Sequence, residues 1–301
     1  PAVSDARRAL PGASIDWVVE ESFVEIARLH RAVRRVIPVA VRRWRTRLYD
    51  PGTWRELAAF RRALSVERYQ CVIDTQGLVK SALIAASARG DKHGYDADSA
   101  REPLAARFYD VRHAVPAAMH AVERNRALTC AALEVAVAGA AEYGFAADSS
   151  TLSSAVPVAG GPCVVLLTMT SRADKLWPEA QWRELIAWLG TRGLACLLPW
   201  GSAAERKRCE RIAQGHAHAR VPERMGLAQL AARLAQARAV AGVDTGLTHL
   251  AAGLGAPAVG IFCGSDPALT GLYGAARIRN LGAQGNPPRA EEVCAALEAW
   301  L

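Results

Sequence analysis

Apolar residues in the second half of the chain fall into two alternating patterns. Short unbroken runs at 163–169, 194–198, 239–243 and 257–262 have the length and content of strands buried on both faces of a parallel sheet. Between and after them, apolar positions return at helical spacing over 177–192, 205–213, 227–237, 247–254 and 289–301, with Pro178 in the first turn of one helix. Repeated strand–helix units of this kind specify a parallel sheet with helices on both faces. The first half carries the same signals less regularly. A helix over 1–9 is stopped by Leu10-Pro11-Gly12-Ala13, and strands are expected at 15–20, 36–41, 71–77 and 92–95. Helices are expected at 54–65, from Ser99 onward and at 119–133; Thr53 and Glu56 have the spacing of a capping box for the first of these. An α/β domain that is entered through the end of a helix is expected to lack an upstream strand and turn. From 136 to 162 the composition shifts to Ala, Gly, Ser and Pro, and periodicity fades after Glu142. The expected domains are therefore 1–145 and 146–301.

One strand-to-helix turn organises the candidate chemistry. The run ending at Val243 is broken by Asp244-Thr245-Gly246, helical spacing resumes at Leu247, and Gly255 with Pro257 ends the helix. A strand that turns sharply into a helix leaves free N–H groups and the positive end of the helix dipole at one point, which suits phosphate. Gly246 permits close backbone approach, and Thr245 and Thr248 can add hydroxyl donors. The same turn also occurs in α/β proteins that bind nothing there.

Two further loops, 168–175 and 199–202, follow strands of the same sheet and open on the same edge. They bring hydroxyls from Thr170 and Ser171 and a mobile charge from Lys175, a set suited to a diphosphate. Lys175 alone could be an ordinary surface lysine. His249 could touch phosphate or pack its own turn, and Trp200 could flank a flat base or belong to the core. In the first half, Arg42, Arg43, Arg45 and Arg47 follow a strand end, where open α/β sheets place ligands, although a solvated charge run would look the same. Asp74 and Gln76 end another strand, and Lys80 lies in the helix that follows.

Composition narrows the choices. The 301 residues carry a net charge of +8 and a pI near 9.4, almost wholly from arginine, with only Lys80, Lys92, Lys175 and Lys207 as lysines. Arginine is the better fork for phosphate and carboxylate. A basic surface also suits nucleic acid, but no recognition motif for it is present and only 6% of residues are aromatic. Seven widely spaced cysteines, without a C-x-x-C, read as buried apolar residues. No apolar run reaches the ~20 residues a spanning helix needs, and no G-x-G-x-x-G supports a dinucleotide.

The stretches Ile73-Asp-Thr-Gln-Gly-Leu-Val-Lys-Ser81, Ser99-Ala-Arg-Glu-Pro-Leu104 and Asp174-Lys-Leu-Trp-Pro178 resemble the ADP-heptose glycosyltransferase family 9, which has the GT-B fold. So do Leu198-Pro-Trp-Gly201, Val243-Asp-Thr-Gly-Leu-Thr-His-Leu-Ala-Ala252 and Gly271-Leu-Tyr-Gly274. The resemblance implies two Rossmann-like α/β domains facing across a cleft, with acceptor bound by the first and ADP-heptose by the second. It implies that Thr170, Ser171, Lys175, Asp244, Thr245, Gly246 and His249 hold the ADP phosphates, with Glu205 and Met225 near the nucleoside. The acceptor it implies is the Kdo of Kdo2-lipid A, and the Gln-Gly-Leu-Val-Lys-Ser and Ala-Arg-Glu-Pro stretches point to the enzyme that adds the first heptose. In this family the expected catalytic base lies in a segment upstream of Pro1.

Acceptor carboxylates and phosphates would then meet Arg42, Arg45, Arg101 and Arg124, with Gln76 and Lys80 nearby. Lys175 would stabilise the departing phosphate, and neither a metal nor a cofactor is expected. The basic first half would favour the anionic cytoplasmic face of the inner membrane without an anchor. The competing readings are the enzyme that adds the second heptose, a sugar-nucleotide epimerase of the same fold, and a non-catalytic module that binds nucleotide or nucleic acid.

Overall fold

The structure, a computed structural model, describes residues 1–145 and 163–301, so the later part of the Ala/Gly/Ser/Pro stretch lies outside the described residues. Two compact units, Pro1–Gly144 and Phe145–Leu301, separate by their internal contacts.

The first unit contains α1 (Ala2–Ala9), β1 (Ile15–Glu20), α2 (Val24–Arg28), β2 (Val33–Val39), α3 (Val41–Trp44), α4 (Pro51–Ser65), β3 (Arg68–Ile73), α5 (Val79–Ala86), β4 (Arg89–Tyr95), β5 (Val111–His113) and α6 (Ala121–Ala132). Its strands are all parallel but form two pieces, β1–β2 and β3–β4–β5. The free edges of β1 and β3 border a cavity of about 530 Å³, walled by Trp17, Val18 and Val19 on one side and Cys71, Val72 and Ile73 on the other. At one end of it the Tyr69 hydroxyl donates to Asp16 Oδ2 at 2.8 Å.

Several expectations for this unit change, among them the strand expected at 71–77, which spans Arg68–Ile73. The strand expected at 36–41 starts earlier and ends at Val39, because Val41 already opens the short helix that buries Trp44 against Phe60. Thr53 does not cap α4: Asp50 does, accepting Gly52 N–H at 2.8 Å, with Pro51 in the first turn. Glu56, thereby released, accepts Trp44 Nε1–H at 2.8 Å and pairs with Arg43 at 2.8 Å. The helix expected from Ser99 is a 3₁₀ segment, Pro103–Phe108, and β5 carried too short an apolar pattern to be recognised.

Among the polar contacts that tie α1 to the rest of the unit, two reach a buried partner. Arg126 Nε donates to Asp5 Oδ2 at 2.6 Å, with both side chains buried. Such a pair is weak evidence for stability while intact, but losing one partner strands a buried charge at roughly 3–5 kcal/mol. His30, 5% exposed, accepts the Ala32 N–H on Nδ1, so its neutral ring carries the proton on Nε2 and donates to Ser4 Oγ at 3.1 Å. Burial lowers its pKa from the ordinary 6.5 to about 4.

The unfolded chain therefore takes up this proton first. The contribution to stability is complete above about pH 6.5 and is lost as pH falls toward 4, by at most about 3 kcal/mol. His30→Gln should flatten the urea-unfolding free energy between pH 7 and 4.5. Burial also lowers the His113 pKa, which leaves a smaller slope of the same sign. An unchanged slope in the variant would remove His30 from this role.

The second unit runs β6 (Val164–Leu167), α7 (Glu179–Thr191), β7 (Cys196–Leu197), α8 (Ala203–Ala213), β8 (Ala219–Arg220), α9 (Leu227–Gln236), β9 (Ala239–Val243), α10 (Gly246–Gly253), β10 (Ala258–Phe262), α11 (Pro267–Thr270), β11 (Ile278–Gly282) and α12 (Ala290–Glu298). The expected alternation is present, with β8, α11 and β11 added. Its parallel sheet has the order β11-β10-β9-β6-β7-β8. Every residue of β6, β9 and β10 is buried, which is why these strands read as unbroken apolar runs. Trp177 and Trp182 pack edge to face beneath them at 4.8 Å. From β6 the chain winds outward through β7 and β8, then returns to place β9 on the other side of β6. The order of winding thus reverses between β6 and β9, and in open α/β sheets ligands bind outside the strand ends at that point.

Candidate active site

Loops 168–175 and 244–249 leave β6 and β9 side by side at the reversal. Asp244 is the node between them. Its backbone carbonyl accepts Thr170 Oγ1–H at 3.0 Å. Its Oδ2 accepts Lys175 Nζ at 2.6 Å and Ser265 Oγ at 2.5 Å, and His249 Nε2 lies 3.4 Å from Oδ1. Asp244 is 8% exposed, and burial alone would raise its carboxyl pKa. The hydrogen bonds from His249, Lys175 and Ser265, with the charge of Lys175, outweigh that and hold it far below the usual carboxylate range. One carboxylate thus ties three loops and fixes an ammonium at the edge of the sheet.

The helix end beside it is open. Thr245 is the N-cap residue of α10 in extended conformation, and the N–H groups of Gly246 and Leu247 meet no acceptor among the described residues. A Cβ at Gly246 would touch nothing within 4 Å. The free N–H groups, the dipole of α10 and the Lys175 ammonium converge where an anion would sit. Gly242, four residues earlier in β9, is required for packing: a Cβ there would lie 2.3 Å from Thr248 Oγ1. The expectation for Thr248 is corrected by the same contact. Its hydroxyl is buried and donates to Val243 O at 2.7 Å, so it offers nothing to a ligand.

The other residues expected to meet the donor lie along the same edge. Ser171 is exposed beside Thr170. Glu205, after β7, accepts Gly201 N–H at 2.6 Å and Ser202 N–H at 3.2 Å through Oε2, completing the capping box of α8. Met225 is half-buried in the loop between β8 and α9. Trp200 packs against the core and donates Nε1–H to Pro222 O at 2.8 Å, with the Arg206 guanidinium 5.3 Å from its ring centroid. Ser265 escaped the sequence reading. The usable signal was its position, just beyond β10 on the edge that carries the other loops. Its neighbour Gly264 shows how close this loop comes: a Cβ there would lie 2.7 Å from Asp174 O.

In the first unit, Arg42, Gln76 and Lys80 all line the cavity between β1 and β3. Arg42 lies over Phe23 at 6.0 Å and Arg45 is exposed at the end of α3. The two stretches around Gln76 and Arg101 meet at Gly77, which has φ +63°: a Cβ there would lie 3.1 Å from the Tyr95 ring and 3.3 Å from Arg101 N. Glu102 then accepts Val79 N–H at 2.7 Å at the start of α5. Arg101 itself is exposed. Arg124 lies 4.8 Å from the Tyr95 centroid and donates to Ser99 O, so part of its fork holds the turn that presents Arg101. Asp74 is buried and turned inward. Its oxygens accept the Tyr109 hydroxyl at 2.7 Å and Gln76 N–H at 2.9 Å. Burial, then this hydrogen bond, drives the Tyr109 phenol well above its usual range.

The doubly wound parallel sheet of the second unit, with this phosphate-type edge, is that of phosphate- and nucleotide-binding α/β proteins. Residues 57–299 match glycosyltransferase family 9 (heptosyltransferase), and the chain belongs to that family. It is 45% identical over 275 residues to lipopolysaccharide heptosyltransferase 1 of Escherichia coli K12, covering 91% of this chain and 86% of that one. The solved E. coli heptosyltransferase WaaC with ADP superposes with a TM-score of 0.91 and 42% identity, over 100% of this chain and 94% of that chain. E. coli ADP-heptose lipopolysaccharide heptosyltransferase II aligns with a TM-score of 0.74 at 20% identity, over 99% and 92%, and shares the fold. The architecture is that of GT-B glycosyltransferases.

Proposed function

We propose that the protein transfers L-glycero-D-manno-heptose from ADP-heptose to the Kdo of Kdo2-lipid A in lipopolysaccharide inner-core synthesis, with inversion at the anomeric carbon. The observation that carries this reading is the Asp244–Lys175 node beside the open N-terminus of α10, at the reversal point of the sheet. In this reading the second unit holds the donor. Gly246 and Leu247 N–H, Thr170, Ser171, Thr245, His249 and Lys175 surround the diphosphate, with Glu205 and Met225 toward ribose and adenine. As the acceptor hydroxyl attacks, negative charge gathers on the β-phosphate of departing ADP. Lys175 and the N–H groups are already aimed there, so stabilising that charge requires little reorganisation. Lys175 has three N–H donors, and its bond to Asp244 leaves two for phosphate. A general base takes the proton of the Kdo hydroxyl; none of the residues assigned here has that role.

The first unit holds the acceptor, with Arg42, Arg45, Arg101 and Arg124 beside Gln76 and Lys80 as its anion contacts. Arg101→Ala should raise the acceptor KM by about tenfold or more, the scale of one charge-assisted hydrogen bond, while leaving the donor KM unchanged. A defect confined to the donor would overturn that role. The reaction is placed at the cytoplasmic face of the inner membrane, where the acceptor is embedded. No helix among the described residues is long and apolar enough to cross a membrane.

The deciding experiment is transfer from ADP-heptose, in EDTA, to Kdo2-lipid A that is either bare or already carries one heptose. Transfer to the bare acceptor alone establishes the proposed reaction and its independence of metal. Transfer to the heptosylated acceptor alone keeps the donor site and assigns the second step. No transfer to either, with or without added magnesium, refutes the reading.

A further inference from the structure

A lysine ammonium rides on a flexible stem, so it is placed by what it binds and not by its own backbone. Lys175 ends a short 3₁₀ segment, Ala173–Lys175, and its Nζ is held by Asp244 Oδ2 at 2.6 Å. The position of that oxygen therefore sets the position of the charge. Asp244 N–H donates to Ile261 O at 3.2 Å, which fixes the main chain and leaves the carboxylate to turn about its last bond. On Oδ1 the contact is long, His249 Nε2 at 3.4 Å, beyond the ordinary range for N–H···O. On Oδ2 it is short, Ser265 Oγ at 2.5 Å. An ionised carboxylate only accepts, so the serine hydroxyl donates its proton there. Ser265 and Lys175 thus share one oxygen.

Of these two donors, serine has the fixed frame. Its side chain turns about a single carbon–carbon bond, and the backbone is anchored on both sides of it. Cys263 O accepts Gly285 N–H at 2.8 Å. Asp266 caps α11, its side chain accepting Ala268 N–H at 2.8 Å and its carbonyl accepting Leu269 N–H at 3.2 Å. Between these anchors Gly264 lies against the loop that carries Lys175: a Cβ there would lie 2.7 Å from Asp174 O and 2.8 Å from Asp174 Oδ2. A residue without a side chain permits that approach, and the approach sets the span from Ser265 to the root of the lysine stem.

We infer that Ser265 is a positioning residue for the leaving-group charge: by holding Asp244 Oδ2 it keeps the Lys175 ammonium where the departing phosphate of ADP needs it. This deepens the proposed function and rests on it for the identity of the anion. Ser265 acts through Asp244 and Lys175. Its own proton is already given to the carboxylate, so it does not donate to phosphate. A group held in place before the reaction needs no reorganisation as charge develops, which is the advantage the serine confers.

The test combines kinetics with a readout that needs neither donor nor acceptor. Ser265→Ala should lower kcat for heptose transfer about tenfold, the scale of one charge-assisted hydrogen bond. Calorimetric ADP affinity should change by less than about threefold, because the lysine is misplaced and not removed. S265T, which keeps the hydroxyl, should stay within about threefold of the wild-type rate. In a Lys175→Met background, S265A should change kcat by less than about twofold, since a residue that acts through the ammonium has nothing left to place. The chain has four lysines, so its ¹⁵N-lysine ammonium spectrum is simple, and the signal missing from K175M is that of Lys175. Hydrogen exchange of that signal should be at least about fivefold faster in S265A, as the bond to Asp244 opens more often.

The inference fails if S265A matches wild type in both rate and ammonium exchange. It fails equally if S265A costs the same in the K175M background, which would make the serine a general support of the fold. A loss of ADP affinity as large as the loss of rate would make Ser265 a direct ligand contact instead. If the wild type transfers no heptose while Lys175 exchange still depends on the Ser265 hydroxyl, the proposed reaction falls and the positioning role stands.

Discussion

Lys175→Met should lower kcat for heptose transfer by about 10² to 10³, the usual loss on removing one preorganised group that meets developing charge. Lys175 is held 2.6 Å from Asp244 Oδ2, and its side chain is 19% exposed, so the ammonium is both fixed and partly shielded from water. Methionine keeps the stem and removes the charge. The N–H groups of Gly246 and Leu247 remain, which is why activity should fall and not vanish. Ground-state binding should suffer less than the rate, because the leaving phosphate carries more charge in the transition state than in the bound donor. Steady-state kinetics with saturating acceptor, together with calorimetry of ADP binding, reads both quantities. An unchanged rate and an unchanged ADP affinity would take Lys175 out of the site.

Asp244→Asn should cost about as much in kcat/KM and should also lower the melting temperature. The aspartate carboxylate receives Lys175, Ser265 and His249 on its side chain, while its carbonyl receives Thr170. Asparagine keeps the shape and loses the charge that anchors the ammonium, and its NH₂ would face a donor already present. Removing one partner of a fully buried ion pair costs roughly 3–5 kcal/mol; the partial exposure of Lys175 brings the expected loss nearer about 2 kcal/mol. Because the folded-state pKa of Asp244 is depressed, its contribution is present above the ordinary carboxylate range and is lost only as pH falls through that range and below it. The pair should therefore be intact at every pH at which the enzyme works. The Lys175→Met/Asp244→Asn double variant is the sharper test. If the two act as one unit, its defect should fall short of the sum by about 1–3 kcal/mol. Additive effects would mean that the ion pair is incidental to catalysis.

Local sequence determined the kinds of elements and one edge of the proposed donor site. The apolar runs ending at Leu167, Val243 and Phe262 read as buried strands because both faces of those strands are covered, and Gly255, with φ +85°, and Pro257 mark the end of α10 because backbone conformation is encoded residue by residue. From those elements it followed that loops 168–175, 199–202 and 244–246 share one edge of a parallel sheet. Strand order was not legible, since pairing between β6 and β9 joins residues more than seventy positions apart. That order puts Thr170, Lys175 and Asp244 in hydrogen-bonding contact at the reversal point. Tertiary structure also chose among partners that look equivalent in a sequence. Thr248 was drawn to Val243 O and not to the open helix end, Ser265 was brought in from β10, and Glu56 went to Trp44 and Arg43 once Asp50 had taken the cap. The physical reason is the same in each case. Spacing along the chain sets which face a side chain occupies, but its hydrogen-bond partner depends on what the fold packs against that face.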